Sequence, residues 1–155
     1  MLGYARDSRA ALADAERALE KAEGAVRGEW ISHFDSAALA SETAWCLHRL
    51  GDLDAAEMSA RDAIALRPGD RVRSRSFAQL ALAQVLLAAN RVDEAANLAE
   101  QIRSTAMTLT SARVRSQLVD LAAALRPHRG VPAVSRFLDS VTGITAGPTL
   151  IEDSV

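Results

Sequence analysis

Gly51-Asp-Leu-Asp-Ala-Ala-Glu-Met-Ser-Ala-Arg-Asp-Ala-Ile-Ala-Leu-Arg-Pro68 decides the fold of this chain. Glycine accepts the left-handed backbone that terminates a helix, so Gly51 closes one helix. Asp54 with Glu57 makes a D-x-x-E capping box that opens the next. Ala56, Ala60 and Ala63 follow at steps of four and three, on the face where a neighbouring helix comes close. Pro68 ends the unit. A helical hairpin of this kind buries its apolar face only against further hairpins, so the stretch predicts a stacked array.

The turn recurs along the chain. Gly51, Asn90 in Ala88-Ala-Asn-Arg-Val-Asp-Glu-Ala-Ala96 and Gly130 in His128-Arg-Gly-Val-Pro-Ala-Val134 stand 39 and 40 residues apart. Gly and Asn are the residues that tolerate a left-handed helix end. Asp93 suits a cap or first-turn acid, and Pro132 suits the first position of a helix. Helices are predicted over Tyr4–Ala22, Ser36–Leu50, Asp54–Leu66, Val72–Ala89, Val92–Met107, Ser111–Leu125 and Pro132–Val141. That makes three hairpins preceded by one unpaired helix, a repeat domain over 1–141 and a flexible tail over 142–155. Trp30, Ile31 and Phe34, in the connection from Gly24 to Asp35, are expected either to close over the first hairpin or to form an apolar patch used in assembly.

Composition agrees with an all-α chain. Hydrophobic residues make up 49% but aromatics only 4%, so Ala and Leu, which lose little entropy in helices, carry the core. The formal net charge of −2 lacks the basic excess of a nucleic-acid binder, so direct nucleic-acid binding is not expected. A single cysteine, Cys46, leaves no internal disulfide and fits a reducing compartment. With no apolar run long enough to span a bilayer and no signal-peptide pattern at Met1, the expectation is a cytoplasmic protein without membrane contact.

The first helix places Ala5, Ser8, Leu12, Ala15, Leu19, Ala22 and Val26 on one seam. It looks like the second helix of a hairpin, with Ala11, Ala15 and Ala18-Leu19 in place of Ala56, Ala60 and Ala63-Ile64. The array therefore begins halfway through a repeat. Either the chain is cut from a longer protein, or its open end packs on another subunit as a homodimer.

With Pro68 at the closing position, Ala44, Leu47, Gly51, Ala56, Ala63 and Leu66 resemble the tetratricopeptide repeat, whereas Ala40 and Thr43 depart from it. The later repeats exceed the usual length of about 34 residues. The resemblance implies a right-handed α-solenoid of about seven helices. A narrower resemblance lies in Trp30-Ile-Ser-His-Phe-Asp35, Leu47-His-Arg-Leu-Gly51, Ala63-Ile-Ala-Leu-Arg-Pro68, Arg71-Val-Arg-Ser-Arg-Ser-Phe77, Ser111-Ala-Arg-Val114 and Val131-Pro-Ala-Val-Ser-Arg-Phe137. These look like the C-terminal region of actinobacterial helix-turn-helix transcriptional regulators of the Xre type. That resemblance implies sensing, dimerisation or partner binding, while the DNA-reading half of the family has no counterpart in these residues.

In a tetratricopeptide array the first helix of each hairpin lines the concave groove. In that frame the groove receives Ala38, Ser41, Glu42, Trp45, His48 and Arg49 from the first hairpin. The second supplies Phe77, Leu80, Ala81, Gln84 and Leu87, with Arg73 one turn before Phe77. The third supplies Gln117, Asp120, Leu121 and Ala124, with Arg113 one turn before Gln117. A peptide or protein segment would use Trp45 as an aromatic anchor and Arg73 with Arg113 as a grip on a carboxylate. Glu42 and Asp120 would select opposite charge. The other reading is an ordinary polar groove, with Trp45 packed on the Trp30–Phe34 segment. The set differs from the carboxylate clamp of co-chaperone repeats, since Ser41, Glu42, Trp45 and Ala81 replace its Lys and Asn. Arg67, Arg71, Arg73 and Arg75 read as a solvated helix start or an inter-repeat salt-bridging element.

No chemistry is expected. Cys46 and His48 point about 200° apart on a helix and do not share a metal. Asp52 and Asp54 are explained by turn and cap roles, and Cys46 by burial as a small apolar residue. His33 and His128 fall in loops. No cofactor or metal is implied.

Overall fold

In a computed structural model the described residues are 2–23, 36–67, 69, 71–106 and 111–145. Among them seven α-helices follow one another, with no strand: α1 (Leu2–Glu23), α2 (Ser36–Leu50), α3 (Leu53–Ala65), α4 (Val72–Ala88), α5 (Val92–Ala106), α6 (Ala112–Leu125) and α7 (Pro132–Thr145). The Trp30–Phe34 segment, Pro68, Asp70 and residues 146–155 lie outside the described residues. Among the described residues no helix is long and apolar enough to cross a membrane.

Two of the predicted turns are built as read. Gly51 has φ +77° and Asn90 φ +61°. The Gly51 N–H donates to the His48 carbonyl and the Asp52 N–H to that of Leu47, each at 3.0 Å. The Asn90 N–H reaches Leu87 at 3.0 Å and the Arg91 N–H reaches Leu86 at 2.9 Å. These paired bonds satisfy the last carbonyls of α2 and α4. The turn at Gly130 differs. Its φ is not positive, and α6 instead unwinds through a 3-10 turn, Arg126–His128, that contains Pro127. The Arg129 N–H then donates to Arg126 at 3.2 Å and the Val131 N–H to His128 at 2.9 Å. Proline cannot donate the next helical bond, so the tighter turn replaces the left-handed cap.

The capping box does not form. Asp52 stands at the N-cap of α3 without a side-chain cap bond, and Asp54 sits in the first turn. The Glu57 carboxylate instead accepts from Arg61 at 2.6 Å and from Arg91 at 2.7 Å. Bonds from two guanidiniums outweigh one from a neutral backbone N–H. α7 also corrects the boundary of the tail. It runs to Thr145, through Gly143 and past the expected end at Val141.

The helices form two layers. α2, α4 and α6 touch in succession, and α3 and α5 lie against the helices before and after them. α7 rests chiefly on α5 rather than on α6. Small residues allow the close approaches: Ala44, Ala56, Ala60, Ala63, Ala95, Ala96 and Ala99 have no exposed surface. One continuous core runs from Ala44 and Ala60 through Leu80, Leu86, Ile102, Leu118 and Leu121 to Phe137 and Val141. Polar links join the second layer. Arg91, at the start of α5, bridges Glu57 of α3 and Glu94, each at 2.7 Å. Ser140 of α7 donates to Glu100 of α5 at 2.7 Å. α1 lies on α2 and is tied to the α2–α3 turn by Arg9 and Asp52 at 2.6 Å. Ser8, Leu12 and Ala15 of its seam are half-buried, and none of the described side chains of α1 is fully buried.

Candidate functional site

A pocket of about 430 Å³ opens between α2, α4 and α6, toward their N-terminal ends. α2 contributes Ala38, Ser41, Glu42 and Trp45. α4 contributes Ser74 and Phe77, α6 contributes Arg113 and Gln117, and Arg67 enters from the end of α3. The convergence follows from the layer order. Helices of one layer run parallel, so their N-termini share an end. The second-layer helices run back, so the C-terminus of α3 meets the N-terminus of α2.

The first turns of the helices differ in charge between the two layers. α3 carries Asp54 and α5 carries Asp93 and Glu94 in their first turns. α2, α4 and α6, which line the pocket, carry no first-turn acid. The partial positive charge of their N-termini is therefore uncompensated by first-turn carboxylates. Two guanidiniums add to it. Arg113 lies over the Phe77 ring at 5.4 Å, a cation–π contact worth about 0.5–1 kcal/mol at an exposed site. An Nη2–H of Arg67 donates to the Ala37 carbonyl at 2.9 Å and to Ser41 Oγ at 3.0 Å. Ser41 Oγ in turn donates to the same carbonyl at 2.9 Å. Among the described residues neither arginine meets a carboxylate, although Glu42 lines the same pocket.

Two lining atoms are shut off from solvent without a hydrogen-bond partner: Nε of Arg67 and Oε1 of Gln117. Each such group costs about 1–3 kcal/mol relative to a satisfied one. Both atoms are enclosed by neighbouring protein atoms, so an incoming group meets them only if the lining shifts. Trp45 supplies an apolar wall, held edge-on against His48 with ring centroids 6.2 Å apart and planes at 80°.

The structure brings only part of the expected groove residues together. Ala38, Ser41, Glu42, Trp45, Phe77, Arg113 and Gln117 come together in the pocket. His48 supports Trp45 from behind. Leu80, Ala81 and Leu121 are core rather than lining, at most 2% exposed. Leu87 packs half-buried against the core. Arg49, Asp120 and Ala124 are exposed, and Gln84 half-buried, outside the lining. Arg73 is the main correction. It is exposed and absent from the lining, and Ser74 takes its place beside Phe77. α4 is buried over most of its circumference, so contacts with four neighbouring helices set its rotation, and the pocket falls on the Ser74 side of Phe77.

The sequence groups Arg67 with Arg71, Arg73 and Arg75 as a solvated or salt-bridging cluster. The structure separates them. Arg75 donates at 3.3 Å to the carbonyls of Ile64 and of Arg67, closing the end of α3, and Arg67 turns into the pocket. None of the four pairs with a carboxylate among the described residues. A sequence signal for Arg67 did exist. In an antiparallel hairpin, the residue that ends the second helix lies beside the start of the first. Cys46 is half-buried and free.

Comparison with protein-family models, with curated proteins and with solved structures gave no match.

Proposed function

We propose that this chain is a tetratricopeptide-like array of about three and a half hairpins that binds a peptide or protein segment without chemistry, as the sensing part of a bacterial transcriptional regulator. The observation that carries the binding reading is the pocket itself. Three alternate helices and the end of a fourth contribute to one lined cavity with two aromatic rings. The regulator assignment rests on the sequence resemblance over about residues 30–141.

A mechanism follows from the links between helices. Contacts Glu57–Arg91 and Glu100–Ser140 tie the second layer together. On the pocket side, α4 and α6 are joined by Arg113 over Phe77. A segment that engages Arg113 competes with that contact and bears on α2, α4 and α6 at once. It would change the relative tilt of successive hairpins, a shift that a parent regulator passes on to its other domains.

The test is binding of a peptide array, with hits measured against wild type and the Trp45→Ala and Phe77→Ala variants. Both substitutions are expected to weaken binding about tenfold or more while helicity is unchanged. Hits that bind both variants as tightly as wild type place the site elsewhere.

A second reading, a dimerisation module, is favoured by the half-covered face of α1 around Ser8, Leu12 and Ala15. Sedimentation equilibrium distinguishes the two. A monomer at high protein concentration removes it.

A further inference from the structure

We infer that the pocket takes a single carboxylate on the side chain of an acidic residue in a partner's peptide segment, with an apolar or aromatic residue beside it, and that Arg67 is its anchor. This rests on the groove-binding reading and specifies its ligand.

Charge complementarity sets the class. Arg67 and Arg113 line the pocket with Glu42, so the side chains of the lining carry one net positive charge. A carboxylate matches that balance. A phosphate, with a charge of about −1.5 to −2, overshoots it and meets Glu42 as well. The helix N-termini favour an anion of either kind, so Glu42 makes the discrimination.

Preorganisation singles out Arg67. Its Nη2 is already tied to Ala37 and Ser41, so ordering this long side chain costs little on binding. Arg113, free to leave the face of Phe77, supplies the second positive charge. Arg73 lies outside the lining and has no part in this grip.

A peptide answers the remaining features better than a bare anion. Gln117 lines the pocket and brings a side-chain amide, a group that suits a peptide backbone. Trp45 and Phe77 offer flat apolar surface for the neighbouring side chain. The volume of about 430 Å³ falls within the range of about 300–1,000 Å³ usual for small-ligand sites and holds a short stretch rather than a long one.

The experiment uses fluorescein-labelled Gly-Ser-Phe-Glu-Ala-Gly, blocked at both ends, and counterparts with Gln or phosphoserine in place of Glu. Fluorescence anisotropy is expected to show the Glu peptide about tenfold tighter than the Gln peptide, a preference that weakens with added salt. The phosphoserine peptide is expected to be weaker than the Glu peptide. Arg67→Gln and Arg113→Gln should each erase the preference and Arg73→Gln should keep it. Because Arg113 is exposed, its variant remains informative if Arg67→Gln fails to fold. Equal affinity for Glu and Gln peptides, tighter binding of phosphoserine, a preference that survives Arg113→Gln, or no binding of the Glu peptide at millimolar concentration overturns the inference. If both peptides bind equally and Trp45→Ala abolishes both, the carboxylate inference fails and the groove reading stands. Binding that ignores Trp45→Ala removes the groove reading itself.

Discussion

Gly51 and Gly130 occupy the same place in the repeat, yet replacing each with alanine is expected to move stability in opposite directions. At Gly51 the backbone is left-handed, with φ +77°, and a Cβ would meet nothing within 4 Å. The cost is therefore the backbone strain alone, about 1–2 kcal/mol for a residue with a Cβ. Alanine also stiffens the unfolded chain, which returns about 0.4–1 kcal/mol. Gly51→Ala should lose about 1 kcal/mol net, a fall of roughly 2–4 °C in Tm for a chain of this size. At Gly130 the space is equally open but φ is not positive. There the strain vanishes and the unfolded-state effect remains, so Gly130→Ala should gain about 0.4–1 kcal/mol. Urea denaturation and thermal melts followed by far-UV circular dichroism measure both. If the two variants shift the same way, or Gly130→Ala is the more damaging, the distinction between a left-handed turn and a 3-10 turn is wrong.

Other expectations follow from the core and the ion pairs. Phe137 is fully buried among α5, α6 and α7, so Phe137→Ala should cost about 3–5 kcal/mol in denaturant unfolding. A loss below about 1 kcal/mol would mean that α7 is not docked as described. Arg61, and then Arg91, hold the Glu57 carboxyl below the usual range against the opposing effect of burial, and Arg103 chiefly does the same for Glu100, with Ser140 adding to it. A depressed folded pKa contributes stability that is present above the unfolded value of about 4.3 and is lost as pH falls through the folded value. A Glu57→Gln/Glu100→Gln double variant should therefore show a shallower fall of Tm from about pH 5 to about pH 3 than wild type. An identical slope would show that the two carboxylates are not paired in solution.

The site was partly legible before any tertiary contact was known. Ala38, Ser41, Glu42 and Trp45 follow from the helical period of α2 once Gly51 sets the frame. Phe77, Arg113 and Gln117 follow from applying the same frame to the later repeats. That frame failed where its assumptions did. Arg73 and Ser74 are adjacent on α4, and which of them faces the pocket depends on a rotation of about 100°, less than one turn. Leu80, Ala81 and Leu121 were placed on the groove although they are core, because a helix enclosed by several neighbours has little free face left. Arg67 was missed because its importance arises between elements, at the junction of the end of α3 with the start of α2.

What the sequence determines by itself is local. Alanine- and leucine-rich segments favour the helix through short-range bonding and low entropy cost, and Gly51 and Asn90 supply the left-handed residues that two of the turns require. These choices involve residues only a few positions apart, so they can be read along the chain. The tertiary structure decides the rest. Pro127 and the packing around α6 replace a third left-handed turn with a 3-10 turn. Packing chiefly on α5 rather than on α6 seats α7. Arg91 and Arg61 draw Glu57 out of its capping box. Antiparallel return of α3 sets Arg67 against Ala37 and Ser41, while Arg113 settles over Phe77. Most of these depend on residues distant in sequence, whose energies are comparable with the local preferences they override, whereas Pro127 and Arg61 act over three or four positions.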